Sequence, residues 1–359
     1  MSVAKQAACR PDVAAVRCGE HVLTYRELNE RANRIAHRLI SLGVQPGQLV
    51  SVCAERGTEL TPAILGVLKA GAGYVPVDPS YPAERIAFVL RDAVTEVVVS
   101  QRHLVDRLNL HDRAVLFLED DLSAYPTIDP PIEWNPDHPA YVIYTSGSTG
   151  EPKGVIITQA NLAHYLRALP ARIGVRDDDV YLHTASIAFS SSVRQLFMPL
   201  SLGAQCVIAP RPLTENPVEL FGEIKRAGVT VIDLVPSYWR ACNQALRSLQ
   251  HAERTELLDN RLRLIVSASE PLPTDVVQEW RESLGMRTDA INMFGQTETT
   301  GIVATFPIPE DLTTLGRIMP VGRPLANTEL YLLNGSSEVP DGSVGEVYVG
   351  GAGVGAGYL

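Results

Sequence analysis

The sequence predicts an α/β fold in which stacked, mostly parallel sheets are flanked by helices. Through most of the chain, short apolar runs typical of strands alternate with longer amphipathic segments typical of helices, and this alternation indicates parallel sheets with helices on their faces. The 359 residues are 45% hydrophobic, which is enough for a large core and more than one sub-domain. We expect sub-domains near residues 1–210 and 211–329, both α/β, and a small β sub-domain at 330–359.

The elements are predicted in chain order from local signals. Thr24 and Glu27 have the spacing of a capping box, so a helix is expected to begin there and to end near Gly43. Further helices are predicted at 61–70, 161–168, 193–200, 217–227, 238–249 and 273–284. Strands are predicted at 49–53, 96–100, 140–144, 180–186, 204–208, 229–234, 263–266 and 288–292. From about Leu330 the pattern changes to short strands with Gly-rich turns, such as 346–349.

Composition narrows the classes of function. The net charge is −10, with acidic and basic residues interspersed, which argues against a nucleic-acid surface because phosphate contacts need clustered Lys and Arg. No apolar run approaches the length of a membrane span, and the N-terminus lacks the apolar core of a signal peptide, so we expect a cytoplasmic protein without a membrane partner. The five cysteines show no zinc or redox spacing and are expected to be reduced.

An apolar strand at 140–144 opens into a loop, TSGSTGEPKG, that is rich in glycine and hydroxyl residues. Glycines let backbone N–H groups approach a ligand, hydroxyls and N–H groups in a concavity bind anions, and a lysine adds a charge suited to phosphate. A flexible Gly/Ser linker would lack both the preceding strand and the following lysine. We therefore interpret the loop as a polyphosphate cradle, although it lacks the Gly-Lys-Ser/Thr ending of the Walker loop. Its expected ligand groups are Thr145, Ser146, Gly147, Ser148, Thr149, Gly150 and Lys153.

This loop resembles the phosphate loop of adenylate-forming enzymes, and the chain is most similar to the amino-acid-activating adenylation domains of nonribosomal peptide synthetases. Further motifs carry the resemblance over nearly the whole chain, among them LTYRELN, LKAGAGYVPVDPSYPAERI and SVGEVYVGGAGVGAGYL. The resemblance implies the fold of that family's large N-terminal domain, including a small β-barrel-like sub-domain. It also implies that the small C-terminal domain, which carries a catalytic lysine, is absent from these residues.

The segment INMFGQTE resembles the family's nucleotide motif, with Gln296 where proline is usual. The resemblance places Asn292 at the adenine edge, Phe294 against the base, Thr297 on the α-phosphate and Glu298 on Mg²⁺, with Gly295 between them. An aromatic face suits a purine, and a carboxylate beside a hydroxyl suits a hard cation. Without a ligand, the same residues would be a strand end followed by a helix that begins with Glu. The segment VSASEPL is similar to the one beside adenine, with Ala268 and Ser269 where two glycines are common.

The segment AFSSSVRQLF resembles the family's Phe-Asp-x-Ser segment, in which the Asp binds the α-ammonium of the amino acid. Phe189 matches, but Ser190 stands at the Asp position, and a neutral serine does not offset the desolvation of an ammonium. Either the substrate lacks an α-amino group, or its ammonium meets another acid, for which Asp233 is the candidate. Arg194 would pair with Asp233 or meet an acidic substrate group.

Both charged residues also have interpretations without a ligand. Asp233 would then be a turn residue at a strand end, and Arg194 would lie on a solvated helix face. His183 is expected to be packed rather than to act as a base. The same resemblance adds to the acid pocket Ser191, Ile265, Ser267, Met293, Gly301 and Ile302.

The implied reaction is the ATP- and Mg²⁺-dependent activation of a small carboxylic acid as an acyl-adenylate, for loading onto a peptidyl or acyl carrier protein in nonribosomal peptide or hybrid biosynthesis. Catalysis would be positioning and charge neutralisation, carried by Thr145, Lys153, Thr297 and Glu298. Without the small domain, low turnover is expected. The alternatives are an aryl- or acyl-coenzyme A ligase, which Ser190 and Gln296 permit, and a non-catalytic ligand-binding fragment.

Overall fold

The computed structural model describes residues 2–108, 110, 113–146 and 150–359. Two large sheets face each other across a layer of helices, and one apolar cluster joins Val16 of one sheet and Val50 of the other to Leu28 and Leu65 of the helices between them. The α/β fold with helix-flanked sheets is therefore confirmed. The helices are α1 (Ser2–Cys9), α2 (Tyr25–Ser41), α3 (Leu60–Lys69), α4 (Ala83–Asp92), α5 (Gln159–Ile173), α6 (Ser190–Leu202), α7 (Arg211–Glu215), α8 (Pro217–Ala227), α9 (Pro236–Ser248), α10 (His251–Leu258) and α11 (Thr274–Gln278).

The strands alternate with these helices along the chain. They are β1 (Ala14–Cys18), β2 (His21–Thr24), β3 (Leu49–Cys53), β4 (Gly73–Pro76), β5 (Val97–Ser100), β6 (Ala114–Phe117), β7 (Pro139–Ser146), β8 (Pro152–Thr158), β9 (Val180–His183), β10 (Gln205–Ile208), β11 (Val231–Asp233), β12 (Leu264–Ser267), β13 (Asp289–Gln296), β14 (Gly301–Pro307), β15 (Arg323–Pro324), β16 (Thr328–Asn334), β17 (Ser337–Glu338), β18 (Glu346–Gly351) and β19 (Gly357–Tyr358). Short 3₁₀ turns occupy Arg102–Arg107 and Thr297–Thr299.

Both large sheets are parallel at the centre and antiparallel at an edge. The nine-stranded sheet has the order β15-β14-β13-β12-β11-β9-β10-β1-β2, with parallel pairing from β13 to β1. The seven-stranded sheet has the order β19-β8-β7-β4-β3-β5-β6, and its antiparallel pairs are β7 with β8 and β8 with β19. Because parallel strands of one sheet end at the same edge, the loops after β11, β12 and β13 of the nine-stranded sheet are available to form one site.

The predicted capping box is present at the start of α2. The Thr24 hydroxyl accepts from the Glu27 N–H at 3.2 Å, and the Glu27 carboxylate accepts from the Thr24 N–H at 2.8 Å. These bonds satisfy two N–H groups that a helix start leaves unpaired. They also lower the pKa of Glu27, with the backbone bond from Thr24 as the largest cause.

The helix predicted at 273–284 is the clearest departure from expectation. It is α-helical only to Gln278 and continues as a π turn at Glu279–Ser283. The wider turn carries Trp280, which is fully buried between Phe221 and Trp239, with ring centroids 5.8 and 6.2 Å away. Its indole N–H donates to Thr288 at 2.8 Å. Packing of this large ring therefore overrides the regular helix that the local pattern predicts.

The end of the chain forms the antiparallel three-stranded sheet β17-β16-β18. It begins at Thr328, close to the predicted change of pattern. Strands from both sides of residue 210 share the nine-stranded sheet, so the sheets themselves do not separate there. The proposed sub-domain limits stay a prediction.

Candidate active site

The predicted phosphate loop is the turn of the β7–β8 hairpin. Thr145 is opposite Lys153 and Ser146 is opposite Pro152 in the antiparallel register, so two hydroxyls and the lysine lie at the mouth of the turn. Gly150 has φ +92°, a conformation that glycine adopts without strain. The predicted ligand residues Gly147, Ser148 and Thr149 lie outside the described residues.

The last residues of the chain join this hairpin to the turn at Thr297–Thr299. The Leu359 N–H donates to the Gly154 carbonyl at 2.7 Å, and the Ala356 N–H donates to the Ile156 carbonyl at 2.9 Å. Next to them, the Gly355 N–H donates to the Glu298 carbonyl at 2.8 Å. The predicted polyphosphate loop and the predicted metal ligand are thus brought together through residues 355–359.

Tyr358 lies between the two charged side chains of this region. The Lys153 ammonium is 5.5 Å from the centre of the Tyr358 ring, and the Tyr358 hydroxyl donates to Glu298 Oε1 at 3.2 Å. The negative charge of Glu298 raises the pKa of Tyr358. Tyr358 thus contacts Lys153 through its ring and Glu298 through its hydroxyl, a role that the sequence motifs did not reveal.

Asn292 offers an unused hydrogen-bond acceptor on β13. Its side-chain N–H donates to the Pro320 carbonyl at 2.8 Å, whereas its Oδ1 is buried and has no partner among the described residues. A buried acceptor without a donor costs free energy. The exocyclic amine of adenine is a donor of the required kind, so the residues present fit the nucleotide that the sequence implies.

Phe294 and Gly295 lie at a β-bulge in the pairing of β13 with β14. A Cβ on Gly295 would be 1.9 Å from the Gly301 carbonyl oxygen, so any side chain there would push the strands apart. The two strands are therefore in close contact just before β13 ends at Gln296. The half-buried Phe294 ring therefore comes just before Thr297 and Glu298, as a base-stacking residue would need to.

Ala268 and Ser269 follow β12, the neighbour of β13. Ala268 is buried, and Ser269 has φ +77°, a left-handed conformation that favours glycine. A glycine at position 269 would adopt this conformation without strain. Positions 268 and 269 therefore place only small side chains beside the predicted base.

The residues predicted to bind the carboxylic acid, here called the acid side, begin at the first turn of α6. The helix starts at Ser190, three residues before the predicted start, and Phe189 just before it is exposed. The Thr297 hydroxyl is 3.5 Å from the Ser190 hydroxyl. The residue that replaces the usual Asp therefore lies beside the residue predicted to contact the α-phosphate.

Arg194 and Asp233 form a buried, two-pronged ion pair. Arg194 Nε is 2.6 Å from Asp233 Oδ2, and Nη2 is 2.9 Å from Oδ1, with each side chain 3% exposed. Burial alone would lower the pKa of Arg194, but the Asp233 carboxylate outweighs it and raises the pKa above its usual value. Of the alternatives open from sequence, the structure contradicts a solvated face for Arg194 and selects its pairing with Asp233.

Of the other predicted pocket residues, Met293 and Ile302 pack in the same buried apolar cluster as Val266, the register partner of Asp233. Ile265 instead pairs with Ile232 and packs with it in the cluster on the opposite face of the nine-stranded sheet, so the structure does not place it beside the ion pair.

The remaining predicted pocket residues are two serines and a glycine. The Ser267 hydroxyl donates to the Leu234 carbonyl at 2.7 Å, so it is already bonded within the protein. Ser191 is half-buried beside Ser190 in α6, and Gly301 is buried. The acid-pocket roles of these residues stay a prediction.

His183 is packed behind α6, with Nε2 3.2 Å from the Ser192 hydroxyl. Burial lowers its pKa to about 3, so the ring is neutral. Two buried tyrosines near the pair, Tyr165 and Tyr181, were missed by sequence reasoning. They lie on α5 and β9, outside the motifs that carried the resemblance.

Metal sites and membrane spans concern all of the described residues. Within the described ranges, no group of three His, Cys, Asp or Glu side chains is placed to hold a metal ion. No helix in the same ranges combines the length and the apolar character needed to cross a membrane.

Comparison with known proteins gives a consistent result. The sequence profile of the AMP-binding enzyme family matches residues 3–359. The dimodular nonribosomal peptide synthase of Bacillus subtilis (strain 168) is 35% identical over 364 residues, covering 99% of this chain and 15% of that protein. Tyrocidine synthase 3 of Brevibacillus parabrevis is 38% identical over 97% of this chain, which covers 5% of that protein. The chain thus spans a small part of the length of these relatives.

Solved structures agree with the sequence matches. The nonribosomal peptide synthetase FmoA3 has a TM-score of 0.91 and 31% identity, covering 100% of this chain and 38% of that one. The N-terminal subdomain of Klebsiella oxytoca NpsA, in complex with 3-hydroxybenzoyl-AMSN, has a TM-score of 0.86 and 26% identity, covering 99% of this chain and 86% of that one. The chain therefore belongs to the AMP-binding enzyme family, and its resemblance to the large domain of nonribosomal peptide synthetase adenylation domains is confirmed.

Proposed function

We propose that this chain uses ATP to activate a small carboxylic acid as an acyl-adenylate, which is then loaded onto a carrier-protein thiol. The observation that carries the proposal is the 3.5 Å approach of Ser190 and Thr297, which joins an acid side to a nucleotide side in one cleft. The family match supports it. Among relatives, FmoA3 has been solved in an AMPPNP-bound form, and NpsA has been solved in an artificial adenylation–PCP fusion.

The nucleotide would be held by residues at the ends of three strands. Asn292 Oδ1 would accept from the adenine amine, and Phe294 would stack on the base between the small residues Ala268 and Ser269. Thr145, Ser146 and Lys153 would contact the polyphosphate from the hairpin mouth. Gly147, Ser148, Thr149 and Gly150 complete the predicted cradle.

Mg²⁺ would bind between the polyphosphate and Glu298, with the Thr297 hydroxyl on the α-phosphate. A single carboxylate suits this ion, which keeps several waters and takes further oxygen ligands from phosphate. Bound there, the ion would neutralise phosphate charge. Glu298 already accepts a hydrogen bond from Tyr358, so this bond has to yield or be shared when the ion binds.

The substrate carboxylate would attack the α-phosphorus, forming the new oxygen–phosphorus bond as the bond to pyrophosphate breaks. The nucleophile is already an anion, so no base is needed, which agrees with a buried, neutral His183. The residues of the cleft hold the carboxylate and the α-phosphate in line, and Lys153 and the hydroxyls balance the negative charge.

The acid itself is proposed to lack an α-amino group, or to carry its amine at the β position or beyond. Ser190 supplies no charge, and Asp233, the single carboxylate among the predicted pocket residues, is taken by Arg194. An α-ammonium would therefore enter the pocket without an ion-pair partner. Replacing Ser190 by Asp should add ordinary α-amino acids to the accepted panel; an unchanged panel would contradict the proposal.

The test of the function is calorimetry of ATP with Mg²⁺ on residues 1–359, followed by pyrophosphate exchange with an acid panel on the protein that includes the family's small C-terminal domain. Saturable ATP binding and acid-dependent exchange are expected. Residues 1–359 alone should exchange poorly, since the lysine of the small domain is proposed to contribute to the reaction. Failure to bind ATP would favour the non-catalytic alternative.

The acceptor needs its own experiment. We expect acyl transfer to a phosphopantetheinylated carrier protein and little transfer to free coenzyme A; the reverse result would assign an aryl- or acyl-coenzyme A ligase. A cytoplasmic location remains part of the proposal, as does a docked small C-terminal domain.

A further inference from the structure

We infer that Arg194 and Asp233 act together as a plug without net charge that limits the acid pocket to a short acid with a neutral far end, which narrows the proposed acids to those without an amine at the β position or beyond. The inference rests on the proposed function, since it concerns the acid side of the same cleft. It names Arg194 as the residue that sets substrate length, through the space it fills rather than through contact with a substrate charge.

The position of the plug follows from α6. Ser190 and Arg194 are four residues apart and share one face of the helix. Ser190 lies beside Thr297, at the end where the carboxylate would meet the α-phosphate. Arg194 is therefore one turn deeper, which is about 6 Å along the helix axis. A substrate chain of only a few carbon atoms would cover that distance.

The opposite wall is made by the sheet. Asp233 is the last residue of β11 and is paired in register with Val266 of β12. Its carboxylate meets the Arg194 guanidinium from the strand side, with two bonds of 2.6 and 2.9 Å. The pair thus spans the gap between α6 and the sheet, and a longer substrate chain would have to displace it.

Two buried tyrosines pack close to the Arg194–Asp233 pair. Tyr165 of α5 and Tyr181 of β9 are 2% and 0% exposed. The Tyr165 hydroxyl accepts from the Ile302 N–H at 3.4 Å, which ties α5 to the pocket wall. Both tyrosines belong to one buried apolar cluster with Met198 of α6 and Val231 of β11, the elements that carry Arg194 and Asp233. The pair therefore has little room to swing aside.

The charge balance explains why the plug excludes charged ends. Arg194 and Asp233 cancel each other, with both side chains 3% exposed. A substrate carboxylate or ammonium at this depth would either stay unpaired or take one partner and leave the other unpaired, and both outcomes are costly in a buried site. We expect discrimination of about a hundredfold against a charged end, as for other buried charges that lose a partner.

The test uses non-hydrolysable acyl-sulfamoyl-adenosine mimics of the acyl-adenylate, which need binding but no turnover. Titrations on residues 1–359 would compare propanoyl, hexanoyl, succinyl and 3-aminopropanoyl mimics. The unaltered chain should bind the propanoyl mimic at least tenfold more tightly than the hexanoyl one, and more tightly than both charged ones. Equal binding of all four would overturn the plug.

Two double variants separate volume from charge. Arg194→Ala with Asp233→Ala removes both charges and opens the space, so the hexanoyl mimic should gain at least tenfold. Arg194→Met with Asp233→Leu removes the charges but keeps the volume, so the preference for propanoyl should remain. An equal hexanoyl gain in both variants, or in neither, would overturn the inference.

ATP binding distinguishes the two levels of failure. If the chain binds ATP but shows no preference for short acyl chains, the plug is contradicted and the proposed function still stands. Absence of ATP binding in the unaltered chain would sink the proposed function itself. If a double variant fails to fold, the four mimics on the unaltered chain still decide whether the pocket discriminates by length and charge.

Discussion

The nucleotide side and the acid side of the cleft treat their buried polar groups in opposite ways. On the nucleotide side, Asn292 keeps an acceptor with no partner among the described residues. On the acid side, Arg194 and Asp233 satisfy each other. An open acceptor gains a bond when a ligand arrives, whereas a closed pair gains nothing. We propose that the first arrangement recognises one fixed group of the nucleotide and that the second excludes substrates with a long or charged end.

The largest expected effect is a loss of stability when the Arg194–Asp233 ion pair is broken. Arg194→Met leaves the Asp233 carboxylate buried without its partner, which should lower the free energy of unfolding by about 3–5 kcal/mol. Adding Asp233→Leu removes the stranded charge, so the double variant should recover most of the loss. Urea unfolding of both proteins measures this. Equal losses in the single and double variants would show that the pair is not a closed unit.

Lowering the pH should reduce the stability of the protein through the buried His183, which is packed behind α6. Burial lowers the pKa of His183 from its usual 6.5 to about 3, so the unfolded chain takes up a proton below pH 6.5 while the folded one does not. Stability from this group is therefore full above pH 6.5 and lost as the pH falls towards 3, by about 1.4 kcal/mol per pH unit.

Unfolding curves between pH 6.5 and 4.5 test the contribution of His183. His183→Gln should flatten the slope, although it lowers stability at neutral pH. His251→Gln, at an exposed position on α10, is the matched control and should leave the slope unchanged. Identical slopes in the two variants would contradict the assignment.

A substitution on the nucleotide side, where Asn292 has an unpaired acceptor, should change the affinity for ATP rather than the stability of the protein. Asn292→Ala removes the waiting acceptor and should weaken ATP binding by about 10- to 100-fold, the value of a buried hydrogen bond. Calorimetry measures the change.

Asn243 provides a matched control for this variant. It is buried, its side-chain N–H donates to the Val276 carbonyl at 2.9 Å, and its Oδ1 also lacks a partner among the described residues. It lies on α9, away from the cleft. Asn243→Ala should lower stability and leave ATP affinity unchanged; a similar loss of affinity would mean that Asn292 acts only through the fold.

The smallest effect is expected at Tyr358. Tyr358→Phe removes the hydrogen bond to Glu298 but keeps the ring beside Lys153. Freed from that bond, Glu298 should bind Mg²⁺ more readily, and the Mg²⁺ dependence of ATP binding should shift to about two- to tenfold lower concentrations. A shift to higher concentrations would mean that Tyr358 orients Glu298 instead of competing for it.

The fold was predicted correctly from the sequence, and the nucleotide side could be proposed from it, because both predictions depend on local patterns. The Thr24 capping box and the apolar runs are read within a few residues, and INMFGQTE lies on one strand and its turn. The acid side depends on contacts between distant residues. Arg194 and Asp233 are 39 positions apart, so their pairing was one of several open alternatives.

Residues whose roles depend on contacts with distant parts of the chain were not identified from the sequence. Tyr165 and Tyr358 act through tertiary contacts, with Ile302 and Glu298 respectively. The π turn at Glu279–Ser283 was likewise hidden, because the burial of Trp280 depends on rings from α8 and α9. Their positions are fixed by packing between elements, which no short stretch of sequence encodes.

The stretch at 352–359 has a consequence for how the protein is made. It bonds to Glu298, to Gly154 and, through its Ala352 and Val354 carbonyls, to the side chain of Asn161. A nascent chain on the ribosome can already contain every strand of the nine-stranded sheet and still lack these bonds. The bonds that join Glu298 to the β7–β8 hairpin therefore form only after residues 352–359 have emerged from the exit tunnel.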